Sequence, residues 1–301
     1  MRANSALRRE KRAAWWLLAP VVIAFGVFQA VPILLATVQS FEATKVAGGL
    51  GVGGARTVFV GIANYRAVLT DGSILEGFFR VFLIGIIQVP VMMIIAVGMA
   101  LLFDAGIIWG RKYFQTAAFL PHSIPGVIAA LVWAGLYLPQ ISPIVKGLGA
   151  LGLPVNFLGS GAVLFSVMNI MSWEWIGYNM IILYAALQAI PRDLLESARV
   201  EGAGGIRIAL SIKLPLIVSA LVICLAFSIL GALQQFAAPV ILSTITTNVG
   251  SNFTPNLSVF TLATGNGVQQ QASALAMVLA VVSFVLSLLV LRVRDRTGAT
   301  R

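Results

Sequence analysis

Apolar residues fall in six long runs, and the chain between the runs is polar. They cover roughly residues 15–39, 78–103, 113–138, 161–189, 212–238 and 272–293, each at or above the ~20 residues a helix needs to cross a hydrocarbon core. Lipid tolerates only segments whose backbone groups bond internally, so the runs predict six membrane-crossing helices. The first opens on Trp15 and Trp16, side chains that favour the membrane–water interface. Within the third, Pro121 and Pro125 predict a kink or partial unwinding. Pro239 is expected to stop the fifth. Segment 40–77 carries a glycine run, GGLGVGG, at 48–54. Segment 139–160 is broken by Pro139, Pro143 and Pro154, and segment 243–270 is rich in Ser, Thr, Asn and Gln.

The interruption between the fourth and fifth runs differs from the others. It reads PRDLLESARVEGAGGIRIALSIKLP from Pro191 to Pro215 and mixes Arg192, Arg199, Arg207 and Lys213 with Asp193, Glu196 and Glu201. Pro191 ends the preceding helix. Asp193 with Glu196 three residues on is a variant capping box, which predicts a helix starting at Leu194. Leu194, Leu195, Ala198 and Val200 give it an apolar side, and Gly202, Gly204 and Gly205 end it. About two turns of helix do not hold alone in water. The loop 190–211 is therefore either a solvated connection or a short helix that another body must stabilise.

Composition widens the picture. At 59% hydrophobic and 10% charged, with a mean hydropathy of +0.97, a chain of 301 residues has more apolar surface than a soluble fold could hide. The whole chain reads as one all-α, polytopic membrane helical bundle. A formal charge of +10 suggests nucleic acid at first sight, but its placement points away from that. Of the 20 basic residues, fifteen sit in alternate segments: Arg2, Arg8, Arg9, Lys11 and Arg12; Arg111 and Lys112; Arg192, Arg199, Arg207 and Lys213; Arg292, Arg294, Arg296 and Arg301. That is the positive-inside pattern, and it puts both termini in the cytoplasm of a multi-pass bacterial membrane protein. The first run is too long for a signal peptide, and no small-residue cleavage site follows it. Cys224 stands alone in an apolar run and reads as packing. His122 has no second histidine or cysteine beside it, so no metal site is expected. No G-x-x-x-x-G-K-[ST] phosphate loop is present, so the chain cannot hydrolyse ATP and is not expected to be an enzyme.

On these residues the loop resembles the EAA loop of ABC-importer permeases: Glu196-Ser197-Ala198, then Gly202-Ala203, then Ile212-Lys213-Leu214-Pro215. Ser197 replaces the usual middle alanine, and Glu201 the usual aspartate. Phe59-Val60-Gly61-Ile62-Ala63-Asn64-Tyr65, Leu120-Pro121, Trp133, Asn156-Phe157-Leu158, Trp173, Leu187-Gln188-Ala189-Ile190-Pro191 and Ala272-Ser273-Ala274 are similar to the sugar branch of that family, the maltose and glycerol-phosphate systems. Region 243–258 lacks the Gly-Gly-Pro usual there. The resemblance implies a MetI-like fold and a coupling helix at 194–204 that docks on a cytoplasmic ATPase, with Glu196, Ser197, Ala198, Gly202 and Pro215 as coupling residues. It implies a second homologous permease, an ATPase dimer that binds ATP and Mg, and an extracytoplasmic sugar-binding protein. No cofactor belongs to this chain.

Polar groups deep in a bilayer are candidates for function. In the fourth run Asn169, Ser172, Glu174 and Asn179 alternate with Trp173, Trp175 and Tyr178, a mixture of hydrogen-bonding groups and aromatic faces that suits a sugar. Glu174 reads equally as a pathway residue or as a packing residue, paired for instance with His122. A proton-coupled secondary transporter using Glu174 is the alternative function, although such folds usually show inverted repeats. In the fifth run Ser228, Gly231 and Gln235 share a helix face, and Gln234 is adjacent. By resemblance to maltose-type relatives, Ser228, Gln235 and Gly177 match positions lining a sugar site. Trp173, Glu174, Gly177, Tyr178, Ser228, Gln234 and Gln235 make up the candidate pathway, with interhelical packing as the competing account.

Overall fold

The computed structural model describes residues 15–46, 55–265 and 268–298. The basic residues at 2–12, the glycine run at 48–54 and Arg301 lie outside the described residues, as do the side chains of Arg294 and Arg296. Two compact units are present: Met1–Thr70 with Leu262–Val278, and Asp71–Thr261 with Leu279–Arg301.

In the first unit, helix α1 (Trp15–Ser40) leads into a two-stranded antiparallel hairpin, β1 (Glu42–Val46) and β2 (Ala55–Phe59), with Thr44 opposite Thr57. Helix α2 (Ala63–Thr70) follows. The hairpin is an addition to the all-helical expectation. Asn64 and Tyr65, read above as part of a loop signature, fix it in place. Asn64 Nδ2 donates to the carbonyls of Ser40 and Glu42 at 2.9 and 2.7 Å, and the Tyr65 and Ser40 hydroxyls are 2.7 Å apart. Phe41 stacks on the Phe59 ring and meets the Tyr65 ring at a tilt.

The second unit begins with α3 (Gly72–Asp104). It starts six residues before the boundary set by hydropathy, because Asp71 caps it. The Asp71 carboxylate accepts from the Ser73 amide and hydroxyl at 2.8 and 2.6 Å and from the Ile74 amide at 3.3 Å. The Ser73 hydroxyl, aided by those amides, holds the carboxyl below its ordinary pKa. Next come α4 (Arg111–Ser123) and α5 (Gly126–Tyr137), which meet at 100°. Pro125 forces Ile124 out of the helical region, to φ −82°, ψ 130°, and is itself extended. The expected kink is therefore a full break. Helix α6 (Pro143–Ala150) lies in the proline-broken segment 139–160, capped by the Ser142 hydroxyl at 3.1 Å from the Val145 amide.

Helix α7 (Val163–Gln188) packs along α3, and Ile170, Met171, Met180 and Leu183 meet Met92, Met93 and Ala96 in the core. The loop carries α8 (Arg192–Val200). The fifth run opens with a short segment, α9 (Gly205–Ile208), a π turn (Ala209–Lys213) and one more turn (Leu214–Leu216), then continues as α10 (Val218–Leu233) and α11 (Ala237–Leu242). Pro239 does not stop it. Pro239 sits in the first turn of α11, where a missing N–H costs nothing, and the break falls at Gln234–Phe236 instead. Segment 243–270 contains α12 (Pro255–Thr264), and the last helix is α13 (Gln269–Gly298). Among the described residues four helices are long and apolar enough to span a membrane, or five where the bent pair α4–α5 counts as one span. At 26 residues α7 is long enough for a sixth, but Asn169, Ser172, Glu174 and Asn179 lower its apolarity.

Three π turns, Gly26–Ala30, Ile84–Gln88 and Ala209–Lys213, share one cause. Each ends two residues before a proline (Pro32, Pro90, Pro215), and the residue just before that proline donates to the carbonyl five back. Proline offers no N–H and crowds the preceding turn, and a widened turn rehouses the displaced carbonyls without breaking the helix.

Candidate functional site

The loop helix α8 begins at Arg192, two residues before the expected Leu194, and the capping box does not form. Pro191 occupies the N-cap without a side-chain hydrogen bond, and Asp193 lies inside the first turn. There its charge favours the helix dipole instead. The C-terminal end follows the sequence reading more closely. The Gly202 amide bonds the Arg199 carbonyl at 3.0 Å and the Ala203 amide the Ala198 carbonyl at 2.9 Å, with Gly202 at φ +84°. This Schellman geometry needs a left-handed residue, which glycine supplies. The space around the Gly202 α-carbon is open, so the requirement is conformational and not steric.

The two sides of α8 differ. Ala198 is buried and Leu195 half-buried, whereas Leu194 is 43% and Val200 89% exposed. The apolar residues expected on one face are thus split between the body of the protein and solvent. Ser197 returns its hydroxyl to the Leu194 carbonyl. Glu196 lines a cavity of about 400 Å³ between α8 and the ends of the spans, with Asp104, Arg111, Arg192, Arg199 and Lys213. At that level Asp104, at the end of α3, joins three spans: Lys213 forms a buried ion pair with it, and Gln188 Nε2 donates to its other oxygen at 2.6 Å. Sequence reasoning missed this junction, because Asp104 and Lys213 lie 109 residues apart. Pro215 is two residues from it and follows the third π turn.

The pair yields a prediction. Asp104→Ala should cost about 2–4 kcal/mol, because it strands the Lys213 ammonium. The Asp104→Ala/Lys213→Ala double variant should cost less than the sum of the singles. Denaturant unfolding of the three variants checks this, and additive costs would mean that the pair contributes nothing.

The candidate pathway residues occupy two environments. Ser228 is buried, 3.4 Å from Asn179 Nδ2, which also bonds the Trp175 carbonyl at 3.0 Å. About two turns away along α7, Gln88 in the second π turn donates to Ser172 Oγ at 3.3 Å, and the Gln88 side-chain Oε1 is buried without a hydrogen-bond partner. Gly177 is also buried, and a Cβ on it would lie 1.8 Å from the Ala118 carbonyl oxygen, so it brings α4 and α7 into backbone contact. These positions join helices. Gln235, Glu174, Trp173 and Tyr178 are only half-buried, and Gln234 is exposed. Gln235 Nε2 is buried without a hydrogen-bond partner, while its backbone carbonyl accepts from Thr254 Oγ1 at 3.3 Å. Gln234 accepts from Asn256 at its carbonyl, at 2.9 Å.

Glu174 makes no hydrogen bond or ion pair among the described residues and lies close to Gly126, where α5 begins beside Ala237 of α11. The pairing weighed with His122 does not form. His122 instead stacks on Tyr178 with ring centres 4.4 Å apart and meets the Trp175 edge at 4.9 Å. Trp173 packs edge-on to Trp133, whose indole N–H is buried and unpartnered. The break between α4 and α5 is therefore walled by aromatic rings and bordered by unpaired polar atoms, an arrangement able to take hydroxyl groups and ring C–H faces. Gln88 was missed, and His122 was weighed only as a partner for Glu174. Their signal was a polar residue beside or within a proline-interrupted apolar run.

The comparisons with known proteins agree with this architecture. Residues 58–297 match the family described as "Binding-protein-dependent transport system inner membrane component". The sn-glycerol-3-phosphate transport system permease protein UgpA of Yersinia enterocolitica is 32% identical over 165 residues, 54% of this chain and 56% of that protein. The chain thus spans little more than half the length of this relative. UgpA of Salmonella typhi is 29% identical over 221 residues, 72% of each chain. A bacterial ABC transporter involved in import of the acidic polysaccharide alginate superposes with a TM-score of 0.83 at 21% identity, covering 99% of this chain and 100% of that one. At that identity the likeness concerns the fold, which is the MetI-like permease fold expected above.

Proposed function

The chain belongs to the family of binding-protein-dependent transport system inner membrane components, and from that premise we propose that it is the permease subunit of an ATP-driven importer for an unphosphorylated carbohydrate, in the first place an oligosaccharide. The observation that carries the reading is the loop helix α8. It is a nine-residue helix with a Schellman end, glycine-terminated between two spans, and it presents Leu194 and Val200 to solvent. A second homologous permease, a cytoplasmic ATPase dimer holding ATP and Mg, and an extracytoplasmic sugar-binding protein complete the assembly. Both termini face the cytoplasm. Relatives named for sn-glycerol-3-phosphate transport and a neighbour titled for import of an acidic polysaccharide support a polyhydroxylated solute, and the choice of an unphosphorylated one rests on the spans of this chain. Neither α7 nor α10 contains Lys or Arg, which favours a neutral sugar over a phosphorylated one. The chain does no bond chemistry. Its work is to stabilise inward-open and outward-open states differently as its partners bind. The family gives the proton-coupled alternative at Glu174 no support.

The test is uptake of labelled oligosaccharides into proteoliposomes holding the full complex. Uptake should require ATP and survive a protonophore. Gln235→Leu, which removes the unpartnered amide, should lower uptake by about tenfold, as expected for the loss of one or two buried hydrogen bonds to substrate. Assembly with the ATPase should be unchanged. ATP-independent uptake would refute the importer reading, and unchanged uptake in Gln235→Leu would remove that residue from the pathway.

A further inference from the structure

Two concavities adjoin at the loop-helix end of the spans, and they differ in chemistry. The first, about 400 Å³, is lined by Arg111, Arg192, Arg199 and Lys213 against Asp104 and Glu196. Lys213 and Asp104 neutralise each other, and the second oxygen of Asp104 is taken by Gln188. The Arg111 guanidinium lies over the Tyr184 ring and donates to the Phe103 carbonyl. Arg192 and Arg199 keep guanidinium groups with no hydrogen bond or ion pair among the described residues. Counting Arg111, Arg192 and Arg199 against Glu196, the cavity holds two uncompensated positive charges. The second concavity, about 640 Å³, shares Arg199 and Lys213 with the first. Its walls are otherwise apolar or small: Gly98, Leu101 and Leu102 of α3, Ile206 and Ile208 of α9, and Ala209 of the π turn that follows. From Leu102 to Gly98 it descends about 6 Å along α3, at about 1.5 Å per residue. Leu102 and Ile206 are exposed on its rim.

We propose that these joined concavities form a binding site for an anionic phospholipid, its phosphate held by Arg192 and Arg199 and an acyl chain laid in the cleft between α3 and α9. A soluble anion would be satisfied by the cationic cavity alone and would leave the apolar cleft unused. A neutral apolar molecule would leave two arginines without a counter-charge. A phospholipid answers both, at the depth where span ends meet head groups, and basic pockets between spans at the cytoplasmic surface take such head groups generally. The site touches the body-facing side of α8, through Arg192 and Arg199, and leaves Leu194, Ser197 and Val200 free. Lipid occupancy would therefore hold the loop helix against the spans without competing for its outer side.

The experiment titrates the purified full-length chain in detergent with dioleoylphosphatidylglycerol or dioleoylphosphatidylcholine and reads bound lipid by native mass spectrometry. The anionic lipid should bind at least ~10-fold more tightly. Arg192→Gln/Arg199→Gln should abolish that preference, whereas Arg199→Lys should keep most of it. Gly98→Leu fills the cleft at a position with open space around it and no change of charge, and it should weaken the anionic lipid while the variant stays monodisperse on size exclusion. Equal binding of the two lipids, wild-type binding by the double arginine variant, or wild-type binding by Gly98→Leu would each overturn the proposal. Displacement of the lipid by millimolar inorganic phosphate would assign the cavity to a soluble anion and overturn it equally.

Discussion

Gly177→Ala should lower the melting temperature sharply, and Gly177→Leu should yield no folded protein. The Cβ of either residue would stand 1.8 Å from the Ala118 carbonyl oxygen, 2.4 Å from its carbon and 2.9 Å from the Phe119 nitrogen. All three are backbone atoms, so no side-chain rotation can relieve the clash. Helices α4 and α7 would have to separate, and the core between them is close-packed. Overpacking that flexible side chains can absorb costs about 1–3 kcal/mol, and a backbone clash exceeds that range. The separation would also part His122 from Tyr178 and Trp175, which α4 and α7 hold in ring contact. Gly231→Ala is the control. Its nearest neighbour would be Trp175 Cζ2 at 3.9 Å, an ordinary contact, and alanine favours a helix by up to about 1 kcal/mol over glycine. Differential scanning fluorimetry of the two alanine variants decides the matter. Equal melting temperatures would mean that α4 and α7 do not cross as described.

How far the chain could be read from its sequence depended on the range of the signal. Hydropathy located every long run, since each span must satisfy its own length of membrane. The glycine end of α8 was legible too, because Gly202 acts through its own backbone. Signals that rest on a partner elsewhere were not. The start of α3 was set by Asp71 and the Ser73 hydroxyl, which hydropathy does not weigh. The capping box at Asp193 and Glu196 had the right letters but lost to Pro191, whose fixed geometry begins the helix two residues sooner. Pro239 was read as a stop and instead starts a helix, while Pro32, Pro90 and Pro215, for which no effect on the helix was read, widen a turn and let the helix run on. In the candidate pathway the residue types were visible, but a hydrogen-bonded Ser228 and an unpaired Gln235 differ only in what faces them. Segment 243–270 departed from its family pattern, yet it is pinned by contacts no local reading could see. Asn248 and Thr246 donate to the Leu158 carbonyl, and Asn252 to the Ser73 hydroxyl.

Leu194→Asp/Val200→Asp should abolish ATP-driven uptake while leaving the permease as stable as the parent. The double change alters only side chains that already face solvent, Val200 at 89% and Leu194 at 43% exposure, so unfolding should shift by no more than about 0.5 kcal/mol. On the proposed assembly those two side chains are the apolar contacts that an ATPase groove covers. Covering a carboxylate there without a partner costs several kcal/mol per charge, enough for a loss of at least ~100-fold in transport. ATP hydrolysis by the complex should continue without responding to the sugar-loaded binding protein, since the lever is detached but the ATPase is intact. Gly202→Arg is a less clean probe. Its φ of +84° makes any side chain strained by about 1–2 kcal/mol, so a transport defect would mix a loosened helix end with a blocked surface. The aspartates separate the two effects, because helix α8 keeps its Schellman end and its inward contacts through Leu195 and Ala198. Full uptake in the double aspartate variant would mean that no partner grips this side of α8, and the drive for transport would then have to enter the permease elsewhere.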